Sequence, residues 1–201
     1  MNDGILFYWF MWMGWTAATF LFEKNQKRNV IVFILLPGII LSGYFIPFSN
    51  GSVNAALIYF LCTGLVYVIS NAKNLFYYLI VSFIIATSYV TLHVFALYDP
   101  AKLFIEKKYL FIIVLAAITF LLCKRTNDLF FLPLIGFFIG ETLFQLLIYR
   151  LSGQIEIGSM FVLDLLASTT MMMFCMVILT DMFKTFKRVP YKRVNPAKQI
   201  S

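Results

Sequence analysis

The chain has 201 residues, of which 62% are hydrophobic and only 12% are charged, and it carries a formal net charge of +7. Because an ordinary soluble domain is about 25% charged, this composition excludes a water-soluble globular protein and indicates one that lies in a lipid bilayer. The 18% aromatic content agrees, since rings that would form exposed apolar patches in water are at home in lipid and at its headgroup boundary.

Seven apolar stretches of roughly bilayer length follow one another along the chain. The sequence therefore predicts an all-α, polytopic membrane protein with seven transmembrane helices. The predicted spans are 5–22, 30–48, 53–70, 75–97, 109–123, 129–149 and 159–182. The fifth is short, and its flanking basic side chains must reach back to the interface. We expect one transmembrane domain over residues 1–182, followed by a basic cytoplasmic tail over residues 183–201.

Lysine and arginine are distributed unevenly between the two sides of this arrangement. Basic residues in short loops are retained on the cytoplasmic side of the membrane. With the N-terminus outside, 12 of the 16 basic residues fall inside and 4 outside. The outer four are Lys102, Lys107, Lys108 and Arg150. Because omitting the fifth span would reverse the balance, the charges favour a multi-pass membrane protein with a cytoplasmic C-terminus.

The segment after the last span, FKTFKRVPYKRVNPAKQIS, interleaves basic and aromatic residues. This composition suits an anionic inner leaflet, and nucleic acid is the poorer interpretation. Such a tail commonly only fixes the topology, whereas specific binding of lipid or of another membrane protein is the alternative. The predicted contacts with anionic lipid are Lys184, Lys187, Arg188, Lys192 and Arg193.

Ionisable groups inside the apolar spans are the candidates for function, because each costs roughly 2.5–3.5 kcal/mol on insertion scales and needs compensation. Glu141 lies near the middle of the sixth span, and Gln145 follows one turn later on the same face. Asp164 precedes Ser168 by one turn in the seventh span. His93 lies in the outer half of the fourth span. The similar depths of these side chains predict a single polar cluster in the outer half of the membrane.

Two interpretations of this cluster stay open. Glu141, bonded to Tyr89 or His93 on the fourth span or to Ser168 on the seventh, would hold the helices together. Alternatively, Glu141 and Asp164 would carry protons or cations or bind a polar substrate. A metal site with His93 is a weaker third reading, since the single histidine lies in no metal-binding motif. No metal and no cofactor are predicted.

The sixth span carries a second feature, the G-x-x-x-G pair Gly136 and Gly140. Small residues at this spacing let helix backbones approach closely in membranes. The pair points away from the Glu141 face, so we expect a different neighbour to pack there. The sixth helix is therefore predicted to be central.

Motifs of several enzyme classes are missing from the sequence. It contains no Walker loop, dinucleotide fingerprint, G-x-S-x-G elbow or C-x-x-C pair. No lysine lies inside a predicted span, which excludes a retinal Schiff base. The sequence therefore gives no reason to expect an enzyme.

The opening FYWFMWMGWTAATF, the following EKNQKRN and the plan of seven spans in about 200 residues resemble the small YphA-type membrane proteins of spore-forming bacilli. The resemblance implies a multi-pass protein of the bacterial cell membrane, the cytoplasmic membrane, and a role in envelope or sporulation biology. It provides no catalytic or binding residues to carry over to this chain. The first hypothesis for function is a non-enzymatic scaffold or assembly factor. The alternative is a transporter of a small solute, ions or protons that uses Glu141 and Asp164, and an intramembrane enzyme comes third.

Overall fold

The computed structural model describes residues 3–71, 75–98 and 106–188, and most of them are helical. The helices are α1 Ile5–Phe20, α2 Gln26–Leu41, α3 Ala55–Ser70, α4 Leu75–Tyr98, α5 Lys107–Leu122, α6 Thr126–Ser152 and α7 Met160–Arg188. The strands are β1 Phe45–Phe48, β2 Gly51–Asn54 and β3 Ile155–Ile157.

The helices differ in length. Three of them contain a stretch long and apolar enough to cross a membrane, namely Leu75–Tyr98, Thr126–Arg150 and Met160–Thr185. The helices α1, α2, α3 and α5 have 16 residues each. At 1.5 Å per residue each spans about 24 Å, which is less than the hydrocarbon core of about 30 Å. By length and composition alone, three of the described helices therefore qualify as membrane spans.

The second predicted span, 30–48, is wrong at its end, and the all-α class omits a small sheet. The helix α2 ends at Leu41, and Phe45–Phe48 form β1, which pairs with β2 in an antiparallel hairpin. Aromatic and β-branched residues favour an extended chain, and Pro47 restricts Ile46 to it. Apolar character alone does not distinguish such a strand from the end of a helix.

The sheet connects two loops that are distant in sequence. Strand β2, in the α2–α3 connection, pairs in parallel with β3, in the α6–α7 connection, so that Gly51 lies opposite Ile155. A Cβ atom at Gly51 would collide with the carbonyl oxygen of Ile155, so the pairing requires glycine at this position. Both loops therefore lie at the same end of the bundle.

The helices form a closed ring in the order α1, α2, α3, α6, α4, α5, α7, and α7 packs back against α1. The helix α6 contacts α3, α4, α5 and α7, so its predicted central position is confirmed. Apolar side chains fill the interior. Fully buried examples from five helices are Phe7, Leu57, Ile85, Leu115 and Leu163.

The G-x-x-x-G pair of α6 packs against α4. A Cβ atom at Gly136 would lie 2.6 Å from Cγ2 of Ile85, and one at Gly140 would lie 3.0 Å from Cβ of Tyr89. The earlier residue of α4, Ile85, contacts the earlier glycine of α6, and the later residue, Tyr89, contacts the later glycine. The two helices therefore run parallel. The expected close approach is present, but the expectation of a different neighbour was wrong. Tyr89 is long enough to contact Gly140 and also to reach Glu141.

The last helix extends further than predicted. It begins at Met160 and continues to Arg188, six residues beyond the predicted end at residue 182. The first part of the predicted tail is thus a helical extension of the bundle. Charged side chains alone do not end a helix, and the first proline after it is Pro190.

Candidate functional site

Asp164 is fully buried near the beginning of α7 and accepts hydrogen bonds from three donors. Its Oδ2 accepts hydrogen bonds from Nζ of Lys108 at 2.7 Å and from the backbone amide of Gly4 at 2.9 Å. Its Oδ1 accepts one from the amide of Phe7 at 2.8 Å. These two amides belong to the beginning of α1, where backbone donors lack partners within the helix. The carboxylate therefore caps α1 from another helix and interacts favourably with its dipole.

Lys108, at the beginning of α5, completes this arrangement. Its side chain is 9% exposed, and its Nζ also binds Oδ1 of the half-exposed Asp3 at 3.0 Å. Partial burial acts to lower the pKa of Lys108, but the hydrogen bonds and negative charges of Asp164 and Asp3 outweigh it, so the pKa lies above its ordinary value. The lysine is therefore charged at neutral pH, and a buried ion pair joins α1, α5 and α7.

The role of Lys108 was missed at the sequence level, where it counted only as an outer charge. A signal was present, because the predicted topology puts Lys108 and Asp164 near the same membrane surface. Lys108 lies next to the unusually short fifth span, and Asp164 lies about one turn inside the seventh span. A cation and an acid at such similar depths are suitable partners.

Glu141, on α6, is 1% exposed and is the centre of a second group. Its Oε2 accepts a hydrogen bond from the hydroxyl of Tyr89 at 2.6 Å, and its Oε1 accepts one from Nε2 of Gln145 at 2.9 Å. The backbone amide of Gly158 donates a third. The donors come from α4, from α6 itself and from the turn between β3 and α7. Glu141 thus holds these three elements together.

The turn at Gly158 is shaped so that its amide can reach Glu141. Its φ is 83°, a left-handed conformation that favours glycine, and a Cβ atom there would lie 2.9 Å from Cβ of Asn54. Asn54 is itself buried. It accepts a hydrogen bond from the amide of Ala56 at the beginning of α3 and donates one to the carbonyl of Ser42, both at 2.9 Å. Polar groups around this turn are therefore paired by short, fixed contacts.

His93 lies one turn beyond Tyr89 on α4 and is only 3% exposed. Aromatic rings surround it, with centroids 4.3 Å away for Phe144, 4.4 Å for Tyr89 and 4.8 Å for Phe111. Neither ring nitrogen has a hydrogen-bond partner within the described ranges. A buried polar group without a partner is uncommon in folded proteins and needs an explanation.

The predicted cluster therefore consists of two hydrogen-bonded groups. Glu141 and Gln145 form one, and Asp164 belongs to the other. His93 is in contact with the Glu141 group through the Tyr89 ring. The hydroxyl of Ser168 is buried, and in the part of the chain that the structure describes it has no hydrogen-bond partner.

The ring of Phe161 is close to residues of both groups. The ring of Phe161 has its centroid 6.0 Å from that of His93. The Nζ atoms of Lys107 and Lys108 lie 5.2 Å and 5.6 Å from the centroid of the same ring. Similar depth along the membrane normal did not reveal this separation, because sequence spacing gives no position around the bundle.

A third buried acid lies toward the other end of α6. Asp128, in the first turn of this helix, is 1% exposed and accepts a hydrogen bond from the hydroxyl of Tyr67 at 2.7 Å. The Tyr67 ring stacks on Phe131 with centroids 4.4 Å apart. The sequence analysis placed Asp128 in a connection. An acid at the beginning of a helix was the available signal.

The predicted lipid contacts lie at the end of α7 and beyond. Lys184 is exposed and binds Oδ1 of Asp181 at 3.2 Å. Lys187 and Arg188 belong to the helix, but their side chains lie outside the described residues, and so do Lys192 and Arg193 altogether. Lipid contact by this segment stays a prediction. Among the described residues, no group of three or more His, Cys, Asp or Glu side chains is placed to hold a metal ion.

The apolar helices, the exposed apolar side chains outside and the hydrogen-bonded acids inside are features of an integral membrane protein. The chain matches the family described as YphA-like integral membrane protein over residues 3–199, and it belongs to this family. It is similar to a protein of Bacillus subtilis (strain 168) named "Uncharacterized protein YphA", with 30% identity over 152 residues, or 76% of each chain. No solved structure matches the chain. The predicted family is thereby confirmed.

Proposed function

We propose that the protein is a non-enzymatic scaffold or assembly factor of the bacterial cell envelope, and that its buried acids hold the helices together. The observation that carries this proposal is the number of donors around each acid. Asp164 and Glu141 each accept three hydrogen bonds, and two or more chain segments supply them. A carboxylate surrounded by fixed donors, backbone amides among them, is suited to fastening segments together.

We further propose that all seven helices cross the membrane, with the N-terminus outside. The bonds of Asp164 bring the beginnings of α1, α5 and α7 to one end of the bundle. At the other end, Tyr67 near the end of α3 meets Asp128 at the beginning of α6. This alternation is what seven successive crossings produce. It supports the proposal together with the distribution of 12 basic residues inside and 4 outside.

A scaffold of this kind works through its outer surface. The helix α1 presents Trp9, which is 67% exposed, and Trp12, which is 46% exposed. Large aromatic side chains contribute much of the binding energy where proteins meet. The proposal therefore expects activity in the cell to depend more on such exposed faces and on the tail than on Glu141. A role in envelope or sporulation biology is what the resemblance to the bacillar proteins implies.

The substitution Glu141→Gln tests the structural role of the acid. The amide keeps hydrogen-bonding capacity without a buried charge, so we expect nearly unchanged melting in detergent. Glu141→Leu removes all of these bonds and should lower the melting temperature clearly. Equal melting of all three proteins would contradict the proposal.

A second candidate function is transport of a proton, an ion or a small solute, and one observation favours it. His93 keeps both ring nitrogens without a partner within the described ranges, beside the Tyr89 ring that binds Glu141. A buried imidazole and a buried acid that contact the same tyrosine are side chains of the kind that proton pathways use.

Purified protein in vesicles that enclose a pH-sensitive dye separates the two candidates. The scaffold proposal expects the same dye response for the wild type, for Glu141→Gln and for empty vesicles. Transport of protons predicts a response that the wild type produces and Glu141→Gln loses while remaining folded, because the amide does not titrate. That second result would overturn the scaffold proposal.

A further inference from the structure

The outer surface of the bundle carries a groove of about 640 Å³ between the parallel helices α4 and α6. Val90 and Thr91 line it on α4, Leu143 and Leu147 line it on α6, and Arg150 lies at the end of the α6 side. The volume is within the range of about 300–1,000 Å³ that small-molecule sites occupy. This groove is separate from both hydrogen-bonded groups of acids.

The walls of the groove are apolar. On α6 the residues at 143, 147 and 150 recur at helical spacing and form one stripe about 10 Å long. Leu143 is 39% exposed and Leu147 57% exposed, so both side chains are open to an occupant. On α4 the hydroxyl of Thr91 donates to the carbonyl of Thr87 at 2.8 Å, which satisfies its polar group within the helix. An acyl chain fits such walls better than a polar solute does.

The end of the groove is positively charged. Arg150 is exposed, and no carboxylate lies within ion-pair distance of it in the part of the chain that the structure describes. The preceding residue, Tyr149, accepts a hydrogen bond from Nδ2 of Asn50 at 2.8 Å, which fixes this turn of α6 against the β1–β2 hairpin. A guanidinium group can form two parallel hydrogen bonds to a phosphate.

We propose that this groove binds one anionic glycerophospholipid of the surrounding bilayer, with the lipid phosphate at Arg150 and an acyl chain between α4 and α6. A groove with apolar walls and a cation at one end is complementary to this ligand. The proposal is independent of whether the protein is a scaffold or a transporter.

The test uses the full chain, purified in mild detergent and stripped of lipid. Native mass spectrometry measures the binding of phosphatidylglycerol and of phosphatidylcholine with identical acyl chains. We expect tighter binding of phosphatidylglycerol, and we expect Arg150→Gln to abolish this preference, a loss of about tenfold for one charged hydrogen-bonding group. The matched control Lys24→Gln removes an exposed cation in the connection between α1 and α2, away from the groove and from the predicted lipid contacts of α7, and should keep the preference.

A second pair of variants tests the apolar part. Thr91→Trp fills the groove and should weaken the binding of both lipids, whereas Val66→Trp, on the exposed face of α3, should not. Circular dichroism confirms that each variant is folded, and Arg150→Lys, which retains the charge, should keep part of the preference. Equal binding of the two lipids by the wild type, or a preference that survives Arg150→Gln, would overturn the proposal. So would equal effects of Thr91→Trp and Val66→Trp.

Discussion

A single carboxylate, that of Asp164, connects three helices by accepting bonds from a lysine and from two backbone amides. A buried ion pair adds little compared with a well-packed apolar pair, because both charges lose their hydration. Losing one partner is costly, since the remaining charge stays buried. The pair with Lys108 is therefore more important for specifying how α1, α5 and α7 fit together than for adding stability.

We predict that Lys108→Gln lowers the free energy of unfolding by about 3 kcal/mol, because it leaves the Asp164 carboxylate buried without its cation. Thermal melting in detergent measures the loss. Asp3→Asn is the matched control, since it removes the exposed partner of the same lysine and should cost at most about 1 kcal/mol. If both variants lost a similar free energy of unfolding, the buried pair would contribute no more to stability than the exposed one.

The close approach of α4 and α6 depends on the absence of side chains at two positions. Gly136 lies against Ile85, and Gly140 lies against Tyr89, whose hydroxyl binds Glu141. Packing in membranes depends on such contacts, because lipid provides no hydrophobic driving force between helices. The geometry of the Glu141 group therefore rests on a helix spacing set by glycine.

At the element scale we predict that Gly136→Val destabilises the protein by about 2–3 kcal/mol through overpacking against Ile85. Gly43→Val is the matched control, because a Cβ atom at Gly43 would meet nothing within 4 Å. Melting in detergent compares the two. Adding Ile85→Ala to Gly136→Val should recover part of the loss, and a control variant that melts as early as Gly136→Val would refute the explanation.

The elements illustrate what the sequence could predict. Apolar runs located all seven helices, because segment length and hydropathy are local properties. The strand at Phe45–Phe48 was missed, since an apolar run of this length fits either conformation. The partner of Asp164 was also missed, because Lys108 approaches it only when α5 packs beside α7. Contacts between helices depend on rotation about each helix axis, and a single sequence does not give that rotation.

At the scale of the whole molecule, we predict an outside N-terminus and a cytoplasmic C-terminus. Twelve basic residues on one side against four on the other favour this orientation. A fluorescent protein fused after Ser201 should fluoresce, and alkaline phosphatase fused there should be inactive. As the opposite control, alkaline phosphatase fused after Gly153, beyond α6, should be active. An active phosphatase after Ser201 would reverse the orientation.

The bond between the amide of Gly4 and Asp164 spans 160 positions of the chain, and strand β2 pairs with a strand about a hundred residues later. During synthesis on the ribosome, the first helix is therefore made long before its capping carboxylate has been translated. Until then, the first backbone amides of α1 and the Nζ of Lys108 lack the carboxylate that accepts their hydrogen bonds. Completion of the seventh helix is thus the event that closes the ring. A nascent chain that stalls earlier would remain open between α1 and α5, and quality-control proteases of the membrane could recognise it as unfinished.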